Sequence, residues 1–287
     1  MIQITTLMDN LNSENKALKA EHGLSFWVQT DAVRFLFDCG AGKSTLENAH
    51  KLGIDLATAD FTVCSHSHYD HAAGYRDLAE QGFGGEKLYT GPDFFTKKYA
   101  FDGMKYTDLS AGFTEKFLQA HQKQHIVCEN ILQIADGCWL VGNFARTHSF
   151  ETIAPRFVKG NPQFTADDFS DEICLALACE QGLIVLVGCS HPGILNMIEA
   201  VHTALRQPVC AVFGGTHLVE ADLPRIKATV AALKEMGLTM LGMSHCSGEL
   251  AQQTLREDEG VKSCHMAVGD CMLFSQATCS AEKHDGI

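Results

Sequence analysis

Three histidines and one aspartate lie within six residues in the segment His66-Ser-His68-Tyr-Asp70-His71. Neutral imidazole nitrogens and carboxylate oxygens are the donors that bind zinc and similar divalent ions, at about 2.0 to 2.2 Å. His66 and His68 are two residues apart, so in an extended backbone their side chains point to the same side and can bind one ion. Asp70 and His71 turn the chain toward a helix expected at 72–81 and face a second position. The spacing therefore predicts a metal pocket with room for two ions, and it is poorly explained by unrelated histidines in a polar surface loop.

The chain resembles the metallo-β-lactamase superfamily, whose hallmark is His-x-His-x-Asp-His at the end of a strand. Residues 66–71 carry that hallmark, and the resemblance continues through residues 35–40, 188–193 and 243–248. It implies an α/β fold, a four-layer αββα sandwich, formed by a single domain over residues 1–287. It also implies that His191 and His245 complete the metal ligands and that Asp38 supports them without binding metal. The full predicted ligand set is His66, His68, Asp70, His71, His191 and His245.

The chain departs from the superfamily where a bridging aspartate is expected, within residues 213–218. His217 stands there instead. An imidazole cannot bridge two ions through one oxygen as a carboxylate does, so His217 is a candidate for a metal ligand, a catalytic acid or base, or a group that binds a substrate anion. Asp70 is the other catalytic candidate, because it could orient or deprotonate water at the metal. Glu220, Asp222 and Asp270 are nearby carboxylates that we expect to be solvated or capping residues.

A narrower resemblance is to the methanopterin-precursor branch of the superfamily, the dihydropterin ribofuranosylaminobenzene phosphate synthases. It is carried by residues 21–25, 52–55, 65–74, 214–218 and 244–249. This resemblance implies a small-molecule substrate of the pterin type and leaves the exact substrate open.

Together these features predict a metal-dependent hydrolase that uses metal-bound hydroxide. The expected substrate is a small phosphate ester or cyclic phosphodiester, with a pterin-type nucleotide among the candidates. One or two divalent ions are expected as cofactors; zinc is favoured, and iron and manganese suit the same ligands. Two alternatives stay open: a metal-dependent lactone or thioester hydrolase, and a non-catalytic ligand-binding module.

The segment at about residues 99–169 is rich in aromatic, glycine and proline residues, and only 126–134 and 138–141 alternate like strands. We interpret the remainder as an insertion over the active site, although an ordinary peripheral excursion explains the pattern equally well. Arg146 and His148 are candidates for reaching the substrate from this segment. With His217 they form the predicted substrate-binding set.

The charge and apolar patterning exclude some partners. The chain has 22 Lys and Arg against 35 Asp and Glu, a formal net charge of -13, so a nucleic-acid partner is not expected. A lysine group in the central segment is interpreted as a solvated face: Lys97, Lys98, Lys105, Lys116 and Lys123.

No apolar run is long enough to span a membrane, and the N-terminus lacks the features of a signal peptide, so we expect a cytoplasmic protein. Nothing in the pattern indicates an oligomeric state.

Twelve cysteines are scattered singly through the chain, without a Cys-x-x-Cys pair. They are interpreted as reduced, small packing residues. Cys246 is set apart from the others because it adjoins His245, where it could be sensitive to oxidation.

Overall fold

The computed structural model describes residues 1–257 and 260–277. Its strands are β1 (Ile2–Met8), β2 (Ser25–Gln29), β3 (Arg34–Phe37), β4 (Phe61–Val63), β5 (Lys87–Thr90), β6 (Lys98–Phe101), β7 (Tyr106–Asp108), β8 (Gln124–Val127), β9 (Ile131–Ala135), β10 (Cys138–Val141), β11 (Phe157–Lys159), β12 (Thr165–Ala166), β13 (Cys174–Cys179), β14 (Gly182–Val187), β15 (Val209–Gly214), β16 (Met240–Met243), β17 (Lys262–Cys264) and β18 (Cys271–Phe274). Its α-helices are α1 (Ser44–Lys51), α2 (Tyr69–Ala72), α3 (Gly74–Glu80), α4 (Glu115–Ala120), α5 (Ile194–Leu205), α6 (Leu223–Glu235) and α7 (Glu249–Arg256).

The first large sheet has seven strands in the order β18-β1-β2-β3-β4-β5-β8. Strands β3, β4, β5 and β8 run parallel to one another. The carboxyl ends of β3 and β4 therefore lie at the same edge, with Asp38 following one strand and the histidine motif following the other.

The second large sheet also has seven strands, in the order β17-β16-β15-β14-β13-β10-β9. Strands β14, β15, β16 and β17 are parallel, so three consecutive strand ends meet at one edge. His191, His217 and His245 follow β14, β15 and β16 respectively. Ligands commonly gather at the carboxyl ends of parallel strands.

Alternating side chains of these strands build three hydrophobic layers. In β14, Ile184 and Leu186 point into the core between the two large sheets, whereas Val185 faces the helices on the outer side. In β3, Phe35 faces the other sheet and Leu36 packs toward α1 and α3. The order is helix, sheet, sheet, helix, which confirms the predicted α/β fold with an αββα sandwich.

The segment at about residues 99–169 contributes to all three sheets. Strand β8 joins the first sheet, and β9 and β10 join the second, where strand-like alternation is present in the sequence. Strands β6, β7, β11 and β12 form a separate four-stranded sheet in the order β12-β11-β6-β7.

The helix expected at 72–81 is divided into α2 and α3. Gly74 begins the second helix at a point where the backbones are in close contact: a Cβ at Gly74 would lie 2.1 Å from the carbonyl oxygen of Cys39. None of the described helices is both long and apolar enough to cross a membrane.

Candidate metal centre

The two large sheets bring the six predicted ligands together at one edge. His66, His68 and His191 form a first group, with ring centroids 4.7 to 5.2 Å apart. All three side chains are buried, and their Nε2 atoms have no hydrogen-bond partner among the described residues. Burial lowers the pKa of each imidazole well below its usual value. The rings are therefore neutral near pH 7, with lone pairs free to bind an ion.

Asp70, His71 and His245 form a second group beside the first. The Nε2 atoms of His71 and His245 are 3.2 Å apart, and Oδ2 of Asp70 lies 3.2 Å from His245 Nε2 and 4.0 Å from His71 Nε2. These separations match the roughly 3.4 Å edge of a tetrahedron whose bonds are about 2.1 Å long. Burial alone would raise the pKa of Asp70, but hydrogen bonds from His22 and His245 hold it well below its usual value. Asp70 is therefore ionised.

Buried polar atoms without partners are costly, and most have a partner in folded proteins. Three such imidazole nitrogens belong to the contacting rings of the first group, and an ionised carboxylate lies close to two imidazoles in the second. The unpaired neutral imidazoles of the first group and the donor separations of the second thus fit a divalent ion in each group.

Asp38 fixes the orientation of His71. Its Oδ2 atom accepts a hydrogen bond from His71 Nδ1 at 2.7 Å, and its two oxygens also accept from the backbone and hydroxyl of Ser65 at 2.7 and 2.8 Å. Burial lowers the pKa of His71, but the Asp38 carboxylate outweighs it and raises that pKa overall. With Nδ1 engaged, Nε2 is directed into the site, which is the supporting role expected of Asp38.

His245 is held in the same way by residues that directly follow β1. Oδ1 of Asn10 lies 3.0 Å from His245 Nδ1, and the Asp9 carboxylate accepts from the His245 backbone at 2.8 Å. The spacing of the histidines gives no sign of these two residues, because they lie about 235 positions away in the chain.

The turn that carries His191 is fixed by Glu172. Its carboxyl oxygens accept hydrogen bonds from the backbone N–H groups of Ser190 and His191 at 2.6 and 3.0 Å. Glu172 is fully buried, and burial raises its pKa to about 8.

His217 lies beside the first group and not between the two groups. Its ring centroid is 4.3 Å from that of His191, and its Nε2 is 3.2 Å from Oε2 of Glu220. Burial lowers the pKa of His217, but hydrogen bonds with the Cys246 sulfur and the Glu220 carboxylate outweigh it and raise that pKa to about 9. His217 therefore carries a positive charge at neutral pH.

The carboxylates near His217 have separate roles. Glu220 also pairs with Arg156 at 2.6 Å, and its hydrogen bond with His217 helps to lower its pKa to about 2. Asp222 caps α6 by accepting from the Arg225 backbone, and Asp270 accepts from the Ala267 backbone. The capping role expected of Asp222 is confirmed.

Cys189 is a site residue that the sequence interpretation left among the packing cysteines. Its sulfur lies 3.1 Å from His71 Nε2. It belongs to three sets of donors, one with His66 and His191, one with His71 and His245, and one with His217 and Cys246. Within each set all donor atoms lie within 4.8 Å of one another. The one available signal was its position, directly after Gly188 at the end of β14 and two residues before His191.

His22 is a second residue that the spacing did not reveal. Its Nε2 lies 3.0 Å from Oδ2 of Asp70, its ring centroid is 4.8 Å from that of His245, and its side chain is 58% exposed. It stands on the solvent side of Asp70. It was visible only as part of the motif at residues 21–25.

Arg146 and His148 lie near the site but are bonded elsewhere. His148 Nε2 is 2.8 Å from Glu199 Oε1 on α5. Arg146 donates to the Asp168 carbonyl at 2.6 Å and lines a cavity together with Phe169.

Two phenylalanines of the central segment contact the first group directly. Phe169 stacks on His191 with centroids 3.8 Å apart, and Phe157 of β11 lies 5.1 Å from His191 and 5.6 Å from His68. Both are buried. They form an apolar wall on this side of the site.

Lys98 does not belong to a solvated face, contrary to the sequence interpretation. It is 2% exposed, and its Nζ lies 2.6 Å from Asp171 and 2.9 Å from Asp167. Asp171 in turn accepts from the Ser67 backbone at 2.9 Å, between His66 and His68. The lysine balances carboxylates that position the metal motif, whereas charge alone gives no indication of burial.

The fold and the arrangement of histidines and aspartate at the sheet edge are those of metallo-β-lactamase-like proteins. Residues 18–101 match the family model described as the metallo-beta-lactamase superfamily. The relatives described next are similar over most of the chain.

Among individual relatives, the chain is similar to 7,8-dihydropterin-6-methyl-4-(beta-D-ribofuranosyl)-aminobenzene-5'-phosphate synthase of Methanocaldococcus jannaschii. The two are 29% identical over 272 residues, which cover 90% of this chain and 91% of the relative. The crystal structure of Tm1679, a metal-dependent hydrolase of the beta-lactamase superfamily, superposes with a TM-score of 0.84 at 27% identity, over 96% of this chain and 100% of that one. A diphosphatase of the PhnP family shares the fold, with a TM-score of 0.55 at 14% identity over 96% and 99% of the two chains.

Proposed function

We propose that this protein is a metal-dependent hydrolase of a small phosphate ester or cyclic phosphodiester. The observation that carries the proposal is the pair of adjacent groups, His66/His68/His191 with contacting rings and Asp70/His71/His245 with closely spaced donor atoms, at one buried edge of the sandwich. Two ions 3.5 to 4 Å apart are the usual arrangement in enzymes that hydrolyse phosphate esters.

When bound, divalent ions would lower the pKa of a bound water to about 7 and polarise a phosphoryl oxygen of the substrate. The chain's own residues would orient the water and transfer its proton. Asp70 is ionised and would orient the attacking water through its free lone pairs. His22 touches the same carboxylate at 3.0 Å and is exposed, so it would carry the released proton to solvent.

His217 would bind the anionic part of the substrate. It is positively charged and lies beside the first group. A donor of this kind suits a phosphoryl oxygen. Arg146, at the neighbouring cavity, is a further candidate for contacting the remote part of the substrate, whereas the contact of His148 with Glu199 favours a structural role.

A pterin-type nucleotide is the proposed substrate class. The similarity to the M. jannaschii synthase supports it, and the Phe157–Phe169 wall offers an apolar surface beside the first group for a flat ring. Zinc, iron and manganese all suit the histidine and carboxylate donors.

The test combines metal analysis with a substrate panel. We expect about two ions per chain in purified protein and turnover of cyclic phosphodiesters that a chelator abolishes. His66→Ala should lose turnover by at least about 100-fold, because it removes a ligand of the first group. His50→Ala, at an exposed position on α1, is the matched control and should retain full turnover.

Two results would change the proposal. Preferential turnover of lactones or thioesters would replace the phosphodiester assignment while keeping a metal-dependent hydrolase. Unchanged turnover in His66→Ala, or none on any member of the panel, would contradict the proposal itself.

A further inference from the structure

We propose that Cys189 supplies a thiolate that bridges the two metal ions. This inference rests on the proposed dinuclear site. It concerns the chain's own ligand chemistry, and its main readout is spectroscopic.

The geometry around the sulfur carries the inference. Cys189 is the one residue shared by the donor sets found among the described residues on the two sides of the site, the set with His66 and His191 and the set with His71 and His245. Its Sγ is 3.1 Å from His71 Nε2, close to the separation of two ligands on one ion. A donor within reach of both groups is positioned to bind both ions.

The backbone around Cys189 is fixed, so the direction of its side chain is built into the fold. Gly188 permits the approach of β14 to the metal motif, since a Cβ there would lie 2.0 Å from Ser65 Oγ. On the other side, Ser190 adopts a positive φ of 59°, and its N–H donates to Glu172. The Cys189 carbonyl accepts from the Cys246 thiol at 3.6 Å. These contacts hold the residue while leaving its sulfur facing the histidines.

The nearby alternatives fit a bridging role less well. The Nε2 atom of His217 is engaged by Glu220, and His191 is the one histidine of the two groups whose ring is described in contact with it. Cys246 shares a donor set with Cys189 and His217, but neither of the sets that hold His66 or His71 includes it. A cysteine sulfur can bind two ions through its lone pairs, which an imidazole nitrogen cannot do.

The chemical step is a simple exchange. The Cys189 S–H bond breaks as two metal–sulfur bonds form, and the proton is released to water; no redox change is involved. A shared thiolate favours zinc or iron over hard ions such as magnesium and calcium.

X-ray absorption of the zinc-loaded full-length protein tests the inference. A bridging thiolate places one sulfur in the shell of every zinc, at about 2.3 Å, whereas a sulfur bound to one of two ions gives an average of half a sulfur per zinc. We expect one sulfur per zinc and two zinc ions per chain. In the cobalt-substituted protein we expect a sulfur-to-metal charge-transfer band in the near ultraviolet.

Substitutions identify the sulfur. Cys189→Ala should lose the zinc–sulfur scattering and the charge-transfer band, and Cys189→Asp should lose both while keeping two ions, because a carboxylate restores the bridge. Cys246→Ala and Cys174→Ala are the matched cysteine controls and should keep both signals. Circular dichroism of each variant confirms that it is folded.

The possible results of these experiments distinguish the bridging role of Cys189 from the proposed hydrolase function. Two zinc ions with only nitrogen and oxygen neighbours, half a sulfur per zinc, or retention of the signals in Cys189→Ala would overturn the bridging role while leaving the hydrolase proposal in place. A wild-type protein that binds no metal would overturn both.

Discussion

The histidines of this site are held by hydrogen bonds to the atoms that do not face it. Asp38 engages Nδ1 of His71, and Asn10 engages Nδ1 of His245. In each case the hydrogen bond at Nδ1 fixes the plane of the imidazole ring, so that Nε2 points into the site. Orientation of this kind commonly sets metal affinity as strongly as the identity of the ligand does.

The charge on His217 gives a pH-dependent prediction for protein stripped of metal. Its pKa of about 9 in the folded state lies above the ordinary value of 6.5, so its contribution to stability is complete below pH 6.5 and is lost as the pH rises through 9. The partner Glu220 has a folded pKa of about 2, below its ordinary 4.5, so the pair also weakens as the pH falls from 4.5 to 2. His217→Gln should therefore differ most from wild type in free energy of unfolding between pH 4.5 and 6.5.

Urea unfolding at several pH values measures this difference. The gap between wild type and His217→Gln should narrow steadily from pH 6.5 to 9. A gap of constant size across that range would show that the imidazole contributes only through packing.

At the scale of elements, the site depends on how closely β14 approaches the end of β4. A Cβ at Gly188 would overlap Ser65, so Gly188→Ala must push the two strand ends apart. We expect a loss of about 1 to 3 kcal/mol in stability, as for other overpacked sites, together with weaker metal binding. Gly42→Ala is the control, because its new Cβ would meet its nearest neighbour, Asp77 Oδ2, at an ordinary 3.7 Å. Equal stability of the two variants, by urea titration, would contradict this account.

Lys97 and Lys98 are adjacent in the chain, but the ion pair of Lys97 is exposed and those of Lys98 are buried. Lys98→Met would leave Asp167 and Asp171 buried without their cation, which should cost about 3 to 5 kcal/mol. Lys97→Met removes an exposed pair with Asp108 and should cost at most about 1 kcal/mol. Thermal unfolding of the two variants measures the difference, and comparable midpoints would show that the buried ions contribute little.

The resemblance carried by residues 66–71 and by the segments around His191 and His245 implied the sandwich before the structure was known. The sequence pattern also predicts helices at 43–52, 193–205 and 223–236, and the bounds of α1, α5 and α6 agree with these to within one residue. Cys189 and Asn10 could not be assigned in this way, since their contacts with His71 and His245 arise only when the two sheets dock. Lys98 was misjudged because its burial depends on the third sheet, which leaves no periodic signal.

At the scale of the molecule, the donors come from both sheets and span the chain from position 66 to position 245. Because the unfolded chain cannot gather them, an ion should bind the folded state selectively and stabilise it by about 2.7 kcal/mol at a free concentration 100 times its Kd. Calorimetry with and without zinc should show a higher unfolding temperature in zinc. His66→Ala should reduce the shift because it removes a donor of the first group, and an identical shift in that variant would place the stabilising ion elsewhere.

The docking of two sheets whose strand ends complete one site has a consequence for the order of events in folding. The contacts that join residues near 66 to those near 245 close long loops, and contacts of this kind form slowly. An ion that requires them would arrive after the slow step has passed. Metal should then leave the refolding rate nearly unchanged and lower the unfolding rate, so that each folded molecule has a longer lifetime.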